Sequence, residues 1–202
     1  MAQTVDRVEL SNRTDFVTGA VRQYLADAEA LGGVAERVER LIGGVPLDRL
    51  RSKPDTAVTA DTAATADTGA TADTGATADT GEWSVLRVIG HMIAYARTTR
   101  GHLYQMATMT DPLLQPADDA AEAERNAWEM QSPSQLLQTL GEELGATVTM
   151  LKDIPDSSWG RAGLHPIAGR RSIRQTVRRG IGHYDSHIEQ IERALERAAA
   201  GG

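Results

Sequence analysis

The helical spacing of apolar residues is the feature that most constrains how this chain can fold. Four segments carry apolar side chains three or four residues apart, which is the period of one face of an α-helix. They cover residues 16–42, 84–108, 132–152 and 172–199, and strand signals are weak throughout. Helices of this length, joined by one or two long connections, bury their apolar faces against one another. The sequence therefore predicts an all-α protein, a four-helix bundle.

Capping residues set the expected helix boundaries. Ser84 and Ser172 are expected to cap the second and fourth helices, and Ser132 precedes a proline at the first position of the third helix. The first helix is expected to bend at residues 32–33 and to end at residues 43–44, because both positions are Gly-Gly pairs. Residues 112–130 form a long connection, which we expect to be partly helical around residues 117–128.

A tandem repeat interrupts the chain between the first and second helices. Residues 59–81 repeat a six-residue unit of the type TADTGA, which offers only alanine and threonine methyl groups for burial. Such a segment does not offset its ordering entropy, so we expect residues 54–81 to form a flexible, disordered insert. A calcium-binding repeat is a weaker alternative, because the glycine-rich turn spacing of known calcium repeats is missing. The remainder is expected to form a single domain within residues 1–202.

Charge and composition exclude several classes of protein. The chain has 202 residues, a net charge of −7 and no cysteine, which excludes disulfides and thiolate metal ligands. An acidic chain is a poor candidate for nucleic-acid binding, which needs clustered lysine and arginine. We find no signal sequence and no apolar run long enough to span a membrane, so we expect a cytoplasmic protein that binds neither nucleic acid nor membrane.

Three histidines are the strongest candidates for chemistry. His183 and His187 lie four residues apart at the edge of the apolar stripe of the fourth helix, so both imidazoles can reach one ion. An isolated pair of this kind is more often structural than functional. His91 adds a third imidazole from the second helix, again at the margin of an apolar stripe. Three such ligands are what an open metal site requires.

The other polar candidates have simpler structural interpretations. His165 lies in a Gly/Pro loop, where a turn role is favoured over a place in the pocket, and His102 is expected to be solvated. Asp185 is expected to contact the surface or a neighbouring helix rather than to act as a base. Three arginines could bind an anionic substrate but are individually expected to be surface charges; they are Arg161, Arg170 and Arg171. The three tryptophans are expected to be core or loop anchors.

Several of these features together resemble the DinB/YfiT-like superfamily of metal-dependent four-helix-bundle proteins. The second helix opens with Trp83 and Ser84, with a histidine eight residues after the tryptophan, and the third helix is hydrophobic. A turn over residues 159–166 (WGRAGLHP) is followed by GRRSI at 169–173, and the chain closes with HYDSHIEQI at 183–191. The resemblance covers about residues 14–198, except for the repeat insert.

The resemblance implies an antiparallel bundle with a metal triad at His91, His183 and His187. It further implies a nickel or zinc ion, a homodimer, and a small-molecule substrate for a hydrolase or for a transferase or isomerase that uses a low-molecular-weight thiol. The alanine-, glycine- and arginine-rich composition is typical of GC-rich genomes such as those of actinobacteria, in which that thiol would be mycothiol. The alternative function is a non-catalytic, stress-associated metal-binding bundle. The sequence names neither the substrate nor a general base.

We predict that deleting residues 56–80 leaves the melting temperature and the metal content nearly unchanged. The physical reason is that the repeat carries little apolar surface to bury. Thermal unfolding and metal analysis of the deletion variant beside the intact chain provide the measurement. A loss of several degrees would show that the repeat packs on the bundle.

Overall fold

The fold is that of a computed structural model, which describes residues 22–53, 83–116, 122 and 125–200. Its main helices and strands follow in chain order: α1 Leu25–Gly32, α2 Val34–Ile42, α3 Leu47–Arg51, α4 Val85–Thr108, α5 Pro133–Asp153, β1 Ala162–His165, β2 Gly169–Ser172 and α6 Ile173–Ala200. The helices α1 and α2 together form the first arm of the bundle, and α4, α5 and α6 form the other three. The predicted four-helix bundle is confirmed.

The predicted helix boundaries agree with the structure wherever the structure describes them. Ser84 accepts a hydrogen bond from the backbone N–H of Arg87, and Ser132 forms a reciprocal capping box with Gln135. Ser172 caps α6 through the backbone N–H of Gln175. The first helix is interrupted at Gly33, and it ends at Ile42 before the predicted glycine pair.

Some sequence predictions fall outside the described residues. These are the start of the first helix at residues 16–21, the repeat insert at 54–81, and much of the helix expected around residues 117–128. Within the described ranges, no helix combines the length and the apolar character needed to cross a membrane.

The helix α4 lies at the centre of the packing. It contacts α5 on one side, α6 on another, and the short 3-10 turn Trp128–Met130 on a third. From Ser84 to Ala96, every residue except Arg87 is buried. The arm formed by α1 and α2 packs against α5 and α6 and completes the core. Apart from Arg87, the side chains in the first half of α4 therefore point into protein, whatever their polarity.

A small β-hairpin joins α5 to α6, where the sequence indicated only a turn. The strands β1 and β2 pair antiparallel, with Leu164 opposite Arg170, and Leu113 extends the pairing by a parallel bridge to Leu164. His165 closes the hairpin turn, because its Nδ1 atom accepts hydrogen bonds from the backbone N–H groups of Ile167 and Ala168. Its predicted turn role is therefore confirmed.

We predict that Gly90→Ala destabilises the protein by about 1–3 kcal/mol, the usual range for overpacking a core. A methyl group at this position would overlap Cβ and Cγ of Trp128, which packs directly on the backbone of α4. The free energy of unfolding, measured by urea denaturation, tests this.

Gly101→Ala is the matched control, because it lies on the same helix with nothing within 4 Å of the added methyl group. It should leave stability unchanged or raise it by up to about 1 kcal/mol, since alanine is the better helix former. Equal effects at both positions would contradict the close packing of Trp128 on α4.

Candidate metal centre

The structure brings together the three histidines that the sequence singled out. His91 comes from the buried half of α4, and His183 and His187 come from successive turns of α6. Each offers one ring nitrogen such that the three atoms all lie within 4.8 Å of one another. His91 and His187 are each 8% exposed, and His183 is half-buried.

The three imidazole rings pack closely but not in parallel. The ring centroid of His187 lies 4.4 Å from that of His183 and 4.7 Å from that of His91, at interplanar angles of 84° and 71°. The rings of His91 and His183 are 5.3 Å apart. Because α4 contacts α6 directly, the third imidazole reaches the pair on α6 without any loop contribution.

Two aromatic side chains from the α4 side form the walls of the cluster. Tyr95, one turn beyond His91, stacks on His183 with ring centroids 3.8 Å apart and an interplanar angle of 28°. Trp83, just before the helix, meets the ring of His91 edge-on at 5.2 Å. The sequence predicts an anchoring role for Trp83 and indicates no role for Tyr95. Its position four residues after His91 was the available signal, since both then lie on one face of α4.

A hydrogen bond orients one of the imidazoles. Nδ1 of His187 lies 2.8 Å from Oε1 of Gln190, one turn further along α6. An amide oxygen only accepts hydrogen bonds, so in this arrangement Nδ1–H of His187 donates and Nε2 carries the lone pair. The sequence alone does not indicate this role for Gln190.

Burial keeps the three imidazoles neutral. Loss of hydration lowers the pKa of His91 and of His187 from 6.5 to about 4. The pKa of His183 falls to about 2, first through burial and then through the positive charge that His187, His91 and Arg179 would place beside it. Neutral imidazoles are the form that binds metal ions.

The cluster has the chemistry of a metal site. Its donors are three neutral imidazoles, and the buried Nε2 atom of His183 has no hydrogen-bond partner among the described residues. Ligand nitrogens about 2.1 Å from a tetrahedral ion lie roughly 3.4 Å apart, so small side-chain rotations would bring these atoms to coordinating distance. The residues therefore fit one transition-metal ion.

The remaining candidates have structural partners. Asp185 forms an ion pair with Arg37 on α2, 2.6 Å apart, which confirms the predicted contact with a neighbouring helix. Arg161 donates to the backbone oxygens of Met106 and Met109 at the end of α4. His102 is not simply solvated, because its Nε2 atom lies 2.7 Å from the backbone oxygen of Gln115.

Arg170 and Arg171 both lie on β2, whereas the three histidines lie on α4 and α6. Arg170 forms an ion pair with Asp111. Arg171 is paired opposite Gly163 of β1 and is half-buried. Arg170 is therefore an exposed charge paired at the surface, as predicted, whereas Arg171 is partly covered by the protein.

A four-helix bundle with a cluster of three histidines between two of its helices defines the class of this protein. The model of one family, described as the DinB superfamily, matches residues 30–191. The chain therefore belongs to the DinB superfamily. A search of curated proteins finds no match.

A solved structure supports the same fold. The chain is similar to YfiT from Bacillus subtilis, with a TM-score of 0.69 and 17% sequence identity over 88% of this chain and 89% of that one. YfiT is described as "a probable metal-dependent hydrolase with an unusual four-helix bundle topology". At this identity the likeness shows the shared bundle fold.

We predict that the metal-free protein loses stability as the pH falls from about 6.5 towards 4. In the unfolded chain the histidines take up protons below about pH 6.5, whereas the folded-state pKa of His91 and of His187 is about 4. The unfolded state then binds more protons, and each histidine lowers the free energy of unfolding by up to about 1.4 kcal/mol per pH unit.

Urea denaturation in the presence of a chelator, repeated across this pH window, measures the effect. His91→Ala should show a shallower pH dependence than the intact protein, because one buried imidazole is gone. Gln138→Leu is the control and should keep the original slope, because it changes an exposed side chain of α5 that does not titrate. Identical slopes for His91→Ala and the intact protein would contradict the burial of a neutral His91.

Proposed function

We propose that His91, His183 and His187 bind one divalent metal ion, and that this ion forms the active centre of a metal-dependent enzyme. The observation that carries the proposal is the convergence of three ring nitrogens within 4.8 Å of one another. Membership of the DinB superfamily and the description of YfiT as a probable metal-dependent hydrolase support it.

The ligand set favours a catalytic centre over a closed structural one. Three protein ligands leave coordination positions for substrate, whereas structural zinc sites use four protein ligands. A bound ion would supply Lewis acidity and lower the pKa of a nucleophile that it coordinates.

The chain's own residues exclude water from the rest of the centre. Tyr95 covers one face of His183, and Trp83 covers the edge of His91. Neither side chain carries a charge at neutral pH, so they would contact apolar parts of a small-molecule substrate. We propose hydrolysis as the reaction class, by analogy with the description of YfiT.

Two other functions remain alternatives to hydrolysis. One is transfer or isomerisation with a low-molecular-weight thiol such as mycothiol, in which the thiolate is the nucleophile. The other is a non-catalytic bundle that the ion only stabilises. Turnover that requires added thiol would favour the first, and metal-dependent melting without turnover of any ester, amide or thiol substrate would favour the second.

We propose nickel or zinc as the metal, because imidazole ligands suit late divalent transition metals and bind magnesium or calcium poorly. We also propose that the protein is cytoplasmic, that it forms a homodimer and that its substrate is a small molecule. Light scattering on the intact chain tests the assembly independently of the metal.

We predict that the purified protein, free of any histidine tag, binds one nickel or zinc ion per chain. His91→Ala, His183→Ala and His187→Ala should each weaken binding by at least about 100-fold, since changes outside the ligand shell already cost 10–100-fold. Elemental analysis and metal titration provide the measurement, and circular dichroism should show that every variant keeps its helices.

His102→Ala is the matched control, because this histidine is bonded to the backbone of Gln115 and should leave the metal content unchanged. One equivalent of tightly bound metal in all three ligand variants would overturn the proposed site.

A further inference from the structure

We propose that Gln190 is a positioning residue that fixes the tautomer of His187, so that Nε2 of this imidazole faces the metal centre. The expected effect of Gln190 on metal affinity rests on the proposed metal-binding function, whereas the tautomer of His187 does not. It concerns a residue that lies outside the ligand set and that acts only through His187.

The first support is geometric. Nδ1 of His187 and Oε1 of Gln190 are 2.8 Å apart, an ordinary hydrogen-bond distance. Because the two residues are three positions apart on a regular helix, the contact is local to α6 and does not depend on any loop.

The second support is the chemistry of a neutral imidazole. Such a ring carries a single N–H, and the other nitrogen holds the lone pair that can bind a metal ion. An oxygen acceptor at Nδ1 keeps the proton there, which leaves the lone pair on Nε2. If the proton moved to Nε2, that nitrogen could no longer act as a ligand without a tautomer change. Metal-binding histidines in proteins commonly have such a partner on their second nitrogen.

The third support is that the ring has little freedom to find another orientation. His187 is 8% exposed, and its ring packs against those of both His91 and His183. With its position limited by these two rings, the remaining choice is which nitrogen carries the proton. The oxygen of Gln190 keeps the proton on Nδ1, because it accepts a hydrogen bond there.

The test begins with the metal-free protein labelled with nitrogen-15, at about pH 8, where histidines are neutral. Two-dimensional nitrogen–proton spectra distinguish the Nδ1–H and Nε2–H forms of each imidazole. We expect His187 to be the Nδ1–H form in the intact protein. Gln190→Leu, which keeps the size but removes the acceptor, should move the proton toward Nε2.

Metal titration supplies the second readout. Gln190→Leu should weaken zinc binding by about 10–100-fold, the usual effect of removing such a partner. Gln190→Glu retains an oxygen acceptor and should restore both the tautomer and the affinity. Gln138→Leu is the matched control, because Gln138 is an exposed residue of α5 bonded to Glu142 and should change neither readout.

The proposal is overturned if His187 is the Nε2–H form in the intact protein, which would mean that the amide donates to Nδ1. It is also overturned if Gln190→Leu leaves the tautomer and the zinc affinity unchanged. A protein with the expected tautomer that binds no metal would instead overturn the proposed function, so the two failures are distinguishable.

Discussion

The burial of the first half of α4 is the constraint on which the rest of the structure depends. This stretch contacts α5, α6 and Trp128, so that almost every residue from Ser84 to Ala96 is inside the protein. An apolar side chain gains from such a position, whereas an imidazole loses hydration that it must recover from a partner. His91 therefore lies where only other side chains, or a bound ion, can replace water. Its place in the helix, rather than any loop, brings it to the two histidines of α6.

Electrostatics and packing point in the same direction at this centre. Three imidazoles packed with centroids 4.4–5.3 Å apart would repel one another strongly if protonated, and burial already lowers their pKa values. The folded protein thus favours three neutral rings, which is the state that a divalent ion needs. The exclusion of water has two effects here. It makes these polar groups costly to bury in the metal-free protein, and it keeps them in the neutral form that binds an ion. By contrast, the Arg37–Asp185 ion pair between α2 and α6 is about two-fifths exposed and contributes little to stability.

The sequence predicted the helices, their caps and the three histidines because each of these signals is local. Ser132 and Gln135, for example, form a capping box that can be read from spacing alone. The hairpin after α5 was not predicted, since its strands carry glycine and arginine without alternation, and its pairing with Leu113 joins distant residues. The bond from His102 to the backbone of Gln115 also depends on where a connection runs. Gln190 was missed for a different reason: its spacing from His187 was visible, but the sequence does not reveal which nitrogen of a histidine needs a partner.

The residues of the metal centre are positioned in two ways, by the geometry of one helix and by the packing of two helices against each other. His183, His187 and Gln190 are held relative to one another by the regular geometry of α6, which survives as long as that helix does. The distance from His91 to this set depends instead on how closely α4 approaches α6. Residues without chemistry contribute to the packing of α4, among them Gly90, whose missing side chain allows Trp128 to pack directly on the backbone of this helix. A small displacement of α4 would leave the pair on α6 intact but would remove the third ligand. Two histidines four residues apart are common on helices by chance. The packing of α4 against α6 therefore decides whether the pair on α6 becomes part of a three-histidine metal centre.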